Sequence, residues 1–197
     1  METLSVAEVV KFVLRWFHYI FGILWIGHLY FFNFVNANFQ AAIDAETKKK
    51  IVPELMPRAL FAFRWGAMMT FITGWIYFGM QQQAYLGSPS IYWIGLGALF
   101  GSVMWFNVWF IIWPNQKKII TAVKTGEKPD PNLVENARKA SKLNTFLSMP
   151  MLACMAGASH GAIFGQYWTV AILAFIVLGF GLAQHLYQIA PKVGKSV

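Results

Sequence analysis

The chain has 197 residues, 57% of them hydrophobic and 17% aromatic but only 12% charged, which is too apolar for an ordinary soluble domain. Its net charge of +8 sits in clusters between apolar runs, where lysines and arginines mark the cytoplasmic face of a polytopic membrane protein and meet anionic headgroups, so it does not argue for nucleic acid. One cysteine, Cys154, excludes an intrachain disulfide, a thiolate cluster and a covalently attached c-type haem, which needs C-x-x-C-H.

The N-terminus METLSVAEVV carries Glu2 and Glu8 where a cleaved signal wants positive charge. The apolar run that follows is too long for such a signal, so it reads as a retained helix. Five spans are expected, roughly 10–36, 65–81, 91–113, 144–164 and 167–188, the second extending backwards through 59–63. The connection before the second span holds Lys48, Lys49, Lys50, Arg58 and Arg64, and the one after the third is again strongly basic. The connections QQQAYLGSPS and GAIFGQYW carry no charge, and the tail PKVGKSV is basic. The two long loops and the C-terminus are therefore expected in the cytoplasm and the N-terminus outside, with Lys11 and Arg15 a modest counter-signal. Asp130-Pro131 reads as an N-cap and first-turn proline of a surface helix in the second long loop, and Pro114 as the end of the third span or the start of the next helix. The expected fold is all-α: a polytopic transmembrane bundle forming one membrane domain over 1–197, in a bacterial inner membrane.

All four histidines, His18, His28, His160 and His185, fall in apolar runs. Ionisable groups at membrane depth are costly and point by default to function. At 1.5 Å of rise per residue, this topology puts His18 and His160 together in the outer half and His28 with His185 in the inner half. Neutral imidazole is an axial ligand of haem iron, and bundles build cofactor sites from facing helices. One or two b-type haems held by these pairs would make a transmembrane electron path. Arg15, one turn from His18, and Arg64, entering the second span from inside, are the candidate partners of haem propionates. Gly22, Gly27, Gly157, Gly161 and Gly181 flank the histidines and would let a porphyrin approach closely.

Structural readings stand beside these. A membrane histidine can bond a neighbouring helix, the glycines and Gly97-x-x-x-Gly101 can be helix-packing positions, and Arg15 and Arg64 can snorkel to headgroups. Met149, Met151, Cys154 and Met155 offer soft ligands suited to Cu(I), or plain core filler. His18 and His28 are also about 80° apart around their helix, so they face one interior but not in line. Every Asp and Glu lies outside the spans, which removes carboxylate di-iron chemistry and an intramembrane carboxylate relay. Trp16, Trp25, Trp93, Trp105, Trp109, Trp113 and Trp168 read mostly as interface belt or packing, and Asn33, Asn36, Asn107 and Asn144 as polar groups that need partners.

Three stretches, PRALFAFRWGAMMTFITGW at 57–75, FNVWFIIWPNQKKII at 106–120 and ARKASKLNTFLSMPMLACMAGASH at 137–160, resemble the N-terminal membrane domain of bacterial membrane-bound urate oxidases (urate hydroxylases). The opening FVLRWFHYIFGILWIG at 12–27 is similar to that family's first helix. The resemblance implies redox function. His18, Arg64, His160 and His185 match family positions, whereas His28 stands where the family is expected to carry a small or hydroxyl residue. Larger members continue into a cytochrome c domain. This sequence reaches Val197 without C-x-x-C-H, so a c-type carrier would be a separate protein. The leading expectation is an electron-transport protein exchanging electrons with a quinone or a separate redox protein. A urate (purine) oxidase handing electrons to a separate cytochrome c, with a pocket of Arg64, asparagines and aromatics, is the alternative. A cofactor-free accessory subunit of a larger membrane complex is the second alternative.

Overall fold

A computed structural model describes residues 5–193. The terminal METL and GKSV segments, with the Glu2 and Lys195 that entered the topology reading, lie outside the described residues. The chain runs α1 (Val6–Tyr30), a π-helical segment (Phe31–Asn36), α2 (Ala37–Ala42), α3 (Ala45–Tyr85), α4 (Ser90–Phe106), a second π-helical segment (Asn107–Ile112), α5 (Trp113–Thr125), α6 (Pro131–His160), a 3-10 segment (Gly161–Tyr167) and α7 (Trp168–Val193). No strand occurs among the described residues. Four helical stretches are long and apolar enough to cross a membrane: Val6–Ala42, Ala45–Tyr85, Ser90–Thr125 and Pro131–Val193. The fourth breaks at Gly165, whose φ of 51° and ψ of −128° are not helical, and α6 and α7 on either side of it pack on each other.

The helix limits follow from capping chemistry. Asp44 starts α3 by accepting the backbone N–H groups of Glu46 and Thr47, both at 2.9 Å. Asp130 starts α6 by accepting the Asn132 N–H at 2.8 Å, ahead of Pro131 at the first helical position. This is the cap expected from the sequence, but it opens the continuous 30-residue α6 rather than a separate surface helix. Likewise α3 starts at Ala45 and passes through Pro53 and Pro57, well before the expected second span. Pro114 does not end its helix: it directly follows the second π-helical segment inside the continuous stretch Ser90–Thr125, where it contributes no main-chain N–H donor. Gly126, at φ 80°, closes α5 in the left-handed conformation.

Lipid is as apolar as a protein core, so helix association here depends on close approach and hydrogen bonds rather than hydrophobic burial. A Cβ on Gly66 would lie 3.1 Å from the Trp25 backbone nitrogen, and one on Gly179 2.8 Å from the Pro150 ring. Small residues thus seat α3 on α1 and α7 on α6. The main core lies between α1, α3, α4, α5 and α6 around Trp25, Leu29, Leu60, Phe63, Met104 and Val108, all buried. Contact pairs run antiparallel along α1 and α3 (Phe32 with Phe63, His18 with Thr70) and along α4 and α6 (Asn107 with Asn144, Gly97 with Cys154).

The two π-helical segments each widen a helical turn to i→i−5 bonding: Ala37 N–H donates to Phe32 O, and Trp113 N–H to Val108 O. Side-chain amides serve carbonyls in and beside these turns. Asn33 donates to Leu29 O at 2.8 Å, Asn38 to Phe34 O at 2.9 Å and Asn115 to Ile111 O at 2.8 Å. In hydrocarbon an unpaired carbonyl costs several kcal/mol, and these asparagines add donors to carbonyls in and beside the wide turns.

Candidate functional site

Three of the four histidines share one local arrangement. His18 Nδ1 meets Thr70 O at 3.0 Å, His28 Nδ1 meets Leu24 O at 2.7 Å, and His160 Nδ1 meets Ala156 O at 3.2 Å. A carbonyl oxygen only accepts, so each Nδ1 carries the proton and, in the neutral ring, Nε2 keeps its lone pair. Metal-binding histidines are oriented in the same way.

The surroundings differ. His18 lies in the seam between α1 and α3, so tightly that a Cβ on Gly74 would come within 2.7 Å of its Cε1. His28 faces an open groove of about 400 Å³ lined by Gly27, Phe31, Leu55, Arg58 and Ala59. His160 is exposed at the end of α6. His185 is exposed on α7, about 200° around the helix from Tyr187, which turns inward to donate to Asn33 Oδ1 at 2.8 Å.

Heights and faces therefore separate. Tyr30 and Ser148 meet at 2.9 Å, about twelve residues (about 18 Å) from His18 along α1 and from His160 along α6, which keeps those two at similar heights. Through the Tyr187–Asn33 bond, His28 and His185 come out about 4.5 Å apart in height, His28 being five residues from Asn33 and His185 two from Tyr187. Azimuth separates the members of both pairs: His18 turns to α3 and His28 to the groove beside α3, while His160 and His185 face outward. Among the described residues no group of three or more His, Cys, Asp or Glu could hold a bare metal ion.

The glycines sort the same way. Gly157 and Gly161, which flank His160, are covered by the Trp93 indole, and a Cβ on Gly22 would touch Thr70. Gly27 and Gly181 have open space. In the 97–101 pair, Gly97 packs on Cys154 and Met155 while Gly101 faces open space, so Cys154 and Met155 serve as filler at that contact.

Arg15 is exposed, donates to the Tyr77 hydroxyl and lies 4.9 Å from that ring's centroid. Arg64 has its guanidinium carbon 4.0 Å from the Trp113 ring centroid, 5.2 Å from that of Trp109 and 5.9 Å from that of Trp65. On the exposed, charged first turns of α6, ahead of its apolar run, the Arg138 guanidinium bonded to Glu135 at 2.7 and 2.8 Å pushes that carboxylate down to about 2. Arg58 likewise lowers Glu54 through its side-chain bond.

A polar layer crosses the bundle, and the sequence revealed it only in part. Asn33 donates to Ser141 Oγ at 2.8 Å, Ser148 Oγ donates to Thr145 O at 2.7 Å, Asn107 donates to Asn144 Oδ1 at 2.7 Å, and Asn144 donates to Met104 O at 2.9 Å. The asparagines were recognisable as groups needing partners. Ser141, Ser148, Tyr30 and Tyr187 carried no signal, because hydroxyls in apolar helices look like ordinary composition.

No curated protein and no solved structure matches the chain. The family model described as urate oxidase N-terminal matches residues 80–196, more than half of the chain. The matched region contains the stretches 106–120 and 137–160 with His160 and His185, whereas His18, His28, Arg15 and Arg64 precede it. With this match on apolar helices of membrane-spanning length, the chain belongs to the urate oxidase N-terminal family.

Proposed function

We propose that this protein is a five-span redox protein of the bacterial inner membrane that binds b-type haem through its membrane histidines and exchanges electrons with a separate partner. The observation that carries the reading is the Nδ1 anchoring of His18, His28 and His160 on main-chain carbonyls, which leaves Nε2 as the nitrogen for iron. His28 is the best furnished of the four. It has the open groove and the clearance of Gly27, with Arg58 at the groove edge already paired with Glu54 at 2.7 Å. Haem would supply one-electron chemistry there, and the chain's own residues would hold the ring nitrogen, the propionate charge and the apolar enclosure. His18, His160 and His185 remain candidate ligands at their heights. Because the members of each pair face different ways, a second imidazole on the same iron requires a helix rotation or another chain.

The test is a reduced-minus-oxidised absorption spectrum of the detergent-purified protein, with haem quantified as its pyridine complex. Sharp b-type bands that are lost in His28→Ala or His18→Ala support the reading, and a colourless, folded protein ends it. Family membership favours a second reading, oxidation of urate or a related purine with electrons passing to a separate cytochrome c. Urate-dependent reduction of an added acceptor by membranes containing the protein would support it, and no urate consumption under those conditions would count against it.

A further inference from the structure

The Arg64 cluster carries an inference that does not depend on haem. Arg64 enters no ion pair among the described residues, and its Nε is buried with no hydrogen-bond partner. The Trp109 Nε1, on a ring whose centroid lies 5.2 Å from the guanidinium carbon, is also buried and unbonded, as are the indole nitrogens of Trp25, Trp93 and Trp105 elsewhere in the bundle. Buried polar atoms are nearly always satisfied, and each exception calls for an explanation. Both exceptions here are donors. Neither Arg64 nor the indoles of Trp65, Trp109 and Trp113 can accept a hydrogen bond, so the site offers positive charge and N–H groups with nothing to receive them. The side chain as a whole is only partly buried, which leaves the outer end of the guanidinium reachable.

The backbone builds this arrangement. Trp109 lies within the second π-helical segment and Trp113 directly follows it, so the widened turn sets where both indoles stand against α3. Trp65 closes the third side, edge-on to Trp109 at a centroid distance of 5.7 Å. Single π turns inside α-helices occur frequently at functional sites. Three aromatic rings within 4.0 to 5.9 Å of the guanidinium carbon restrict its motion by cation–π contact and lower the cost of fixing it on an oxyanion.

From these features we infer that Arg64, Trp109 and Trp113 form an oxyanion-binding site. Its ligand presents two or more acceptor oxygens, and either a phospholipid phosphate or a soluble phosphate or carboxylate has that chemistry. Two titrations of the full-length protein in neutral detergent separate the sources. Inorganic phosphate is titrated by calorimetry and tryptophan fluorescence, and retention of phosphatidylglycerol against phosphatidylcholine is read by native mass spectrometry. Saturable phosphate binding assigns a soluble oxyanion, and selective retention of phosphatidylglycerol without phosphate binding assigns a lipid. In either case Arg64→Gln is expected to weaken binding by about tenfold or more, as loss of a charge-assisted bond requires. Arg64→Lys, which keeps the charge without the fork, should fall between, and it serves as the comparison if Arg64→Gln does not fold. Trp113→Phe should retain most binding. The inference is overturned if folded wild-type protein binds neither probe, or if lipid retention is unchanged in the Arg64 variants, since the general basic surface would then account for it.

Discussion

Asn144 is fully buried and uses both ends of its amide, accepting from Asn107 and donating to the Met104 carbonyl. Replacing it by Leu leaves a buried amide and a buried carbonyl without their partner. The expected cost is about 1–2 kcal/mol, since hydrogen bonds between membrane helices are worth less than their vacuum strength. Unfolding in mixed micelles should show this loss, and adding Asn107→Leu should recover part of it, because the orphaned amide is then gone. A double variant as unstable as the sum of the singles would mean that the two asparagines act independently. The Glu135–Arg138 pair gives a pH signature at the same scale. The Glu135 carboxylate lies at about 2 in the folded chain against an ordinary 4.5, so its stabilisation is fully present above about pH 4.5 and is lost as pH falls towards 2. In Glu135→Gln, protection of the first turns of α6 against hydrogen exchange should be lower at pH 6 and should change less between pH 5 and pH 3 than in the wild type.

Helix pairs depend on particular glycines. A Cβ on Gly179 would lie 2.8 Å from both the ring Cδ and the nitrogen of Pro150, and a proline ring in a helix cannot swing aside. Gly179→Val should therefore push α7 off α6 and lower stability by about 1–3 kcal/mol, the range for overpacking. Gly101→Ala, with open space around its site, should be neutral in the same thermal unfolding assay, and equal losses at both positions would refute the packing argument. These elements also show what the sequence could reveal. Apolar runs and the Asp130 cap were legible, because hydropathy and capping chemistry are written locally. The start of α3 was not, since its first turns leave the apolar run and carry Lys48, Lys49 and Lys50. Neither π-helical segment has a compositional mark. Residue counts gave an expectation for the histidines' heights but none for their facing, because azimuth depends on where neighbouring helices approach. Arg64 was recognisable as a lone cation entering a span, while its tryptophan enclosure depends on a wide turn more than 40 residues away.

At the scale of the whole molecule, the central question is how many times the chain crosses the bilayer and in which sense. Length and composition single out four stretches, but the fourth contains two packed helices with a reversal at Gly165, which favours five crossings. Most of the basic residues sit on α5, on the first turns of α3 and α6 and at the end of α7, with Lys11 and Arg15 on α1 the counter-signal, while the 81–89 and 161–168 connections carry no charge. By the positive-inside rule the uncharged turns are then expected to face outward. Single cysteines at Gln83, Gln166 and Thr125 report this directly, all three positions being exposed. Cys154, at 1% exposure, gives a quiet background. A membrane-impermeant maleimide should label Gln83→Cys and Gln166→Cys in intact spheroplasts, and Thr125→Cys only after permeabilisation. The inverted pattern would put the basic loops outside and exchange the inner and outer histidines. Labelling of Gln83 and Gln166 from opposite sides would remove a crossing between them and, with it, the common height of His18 and His160.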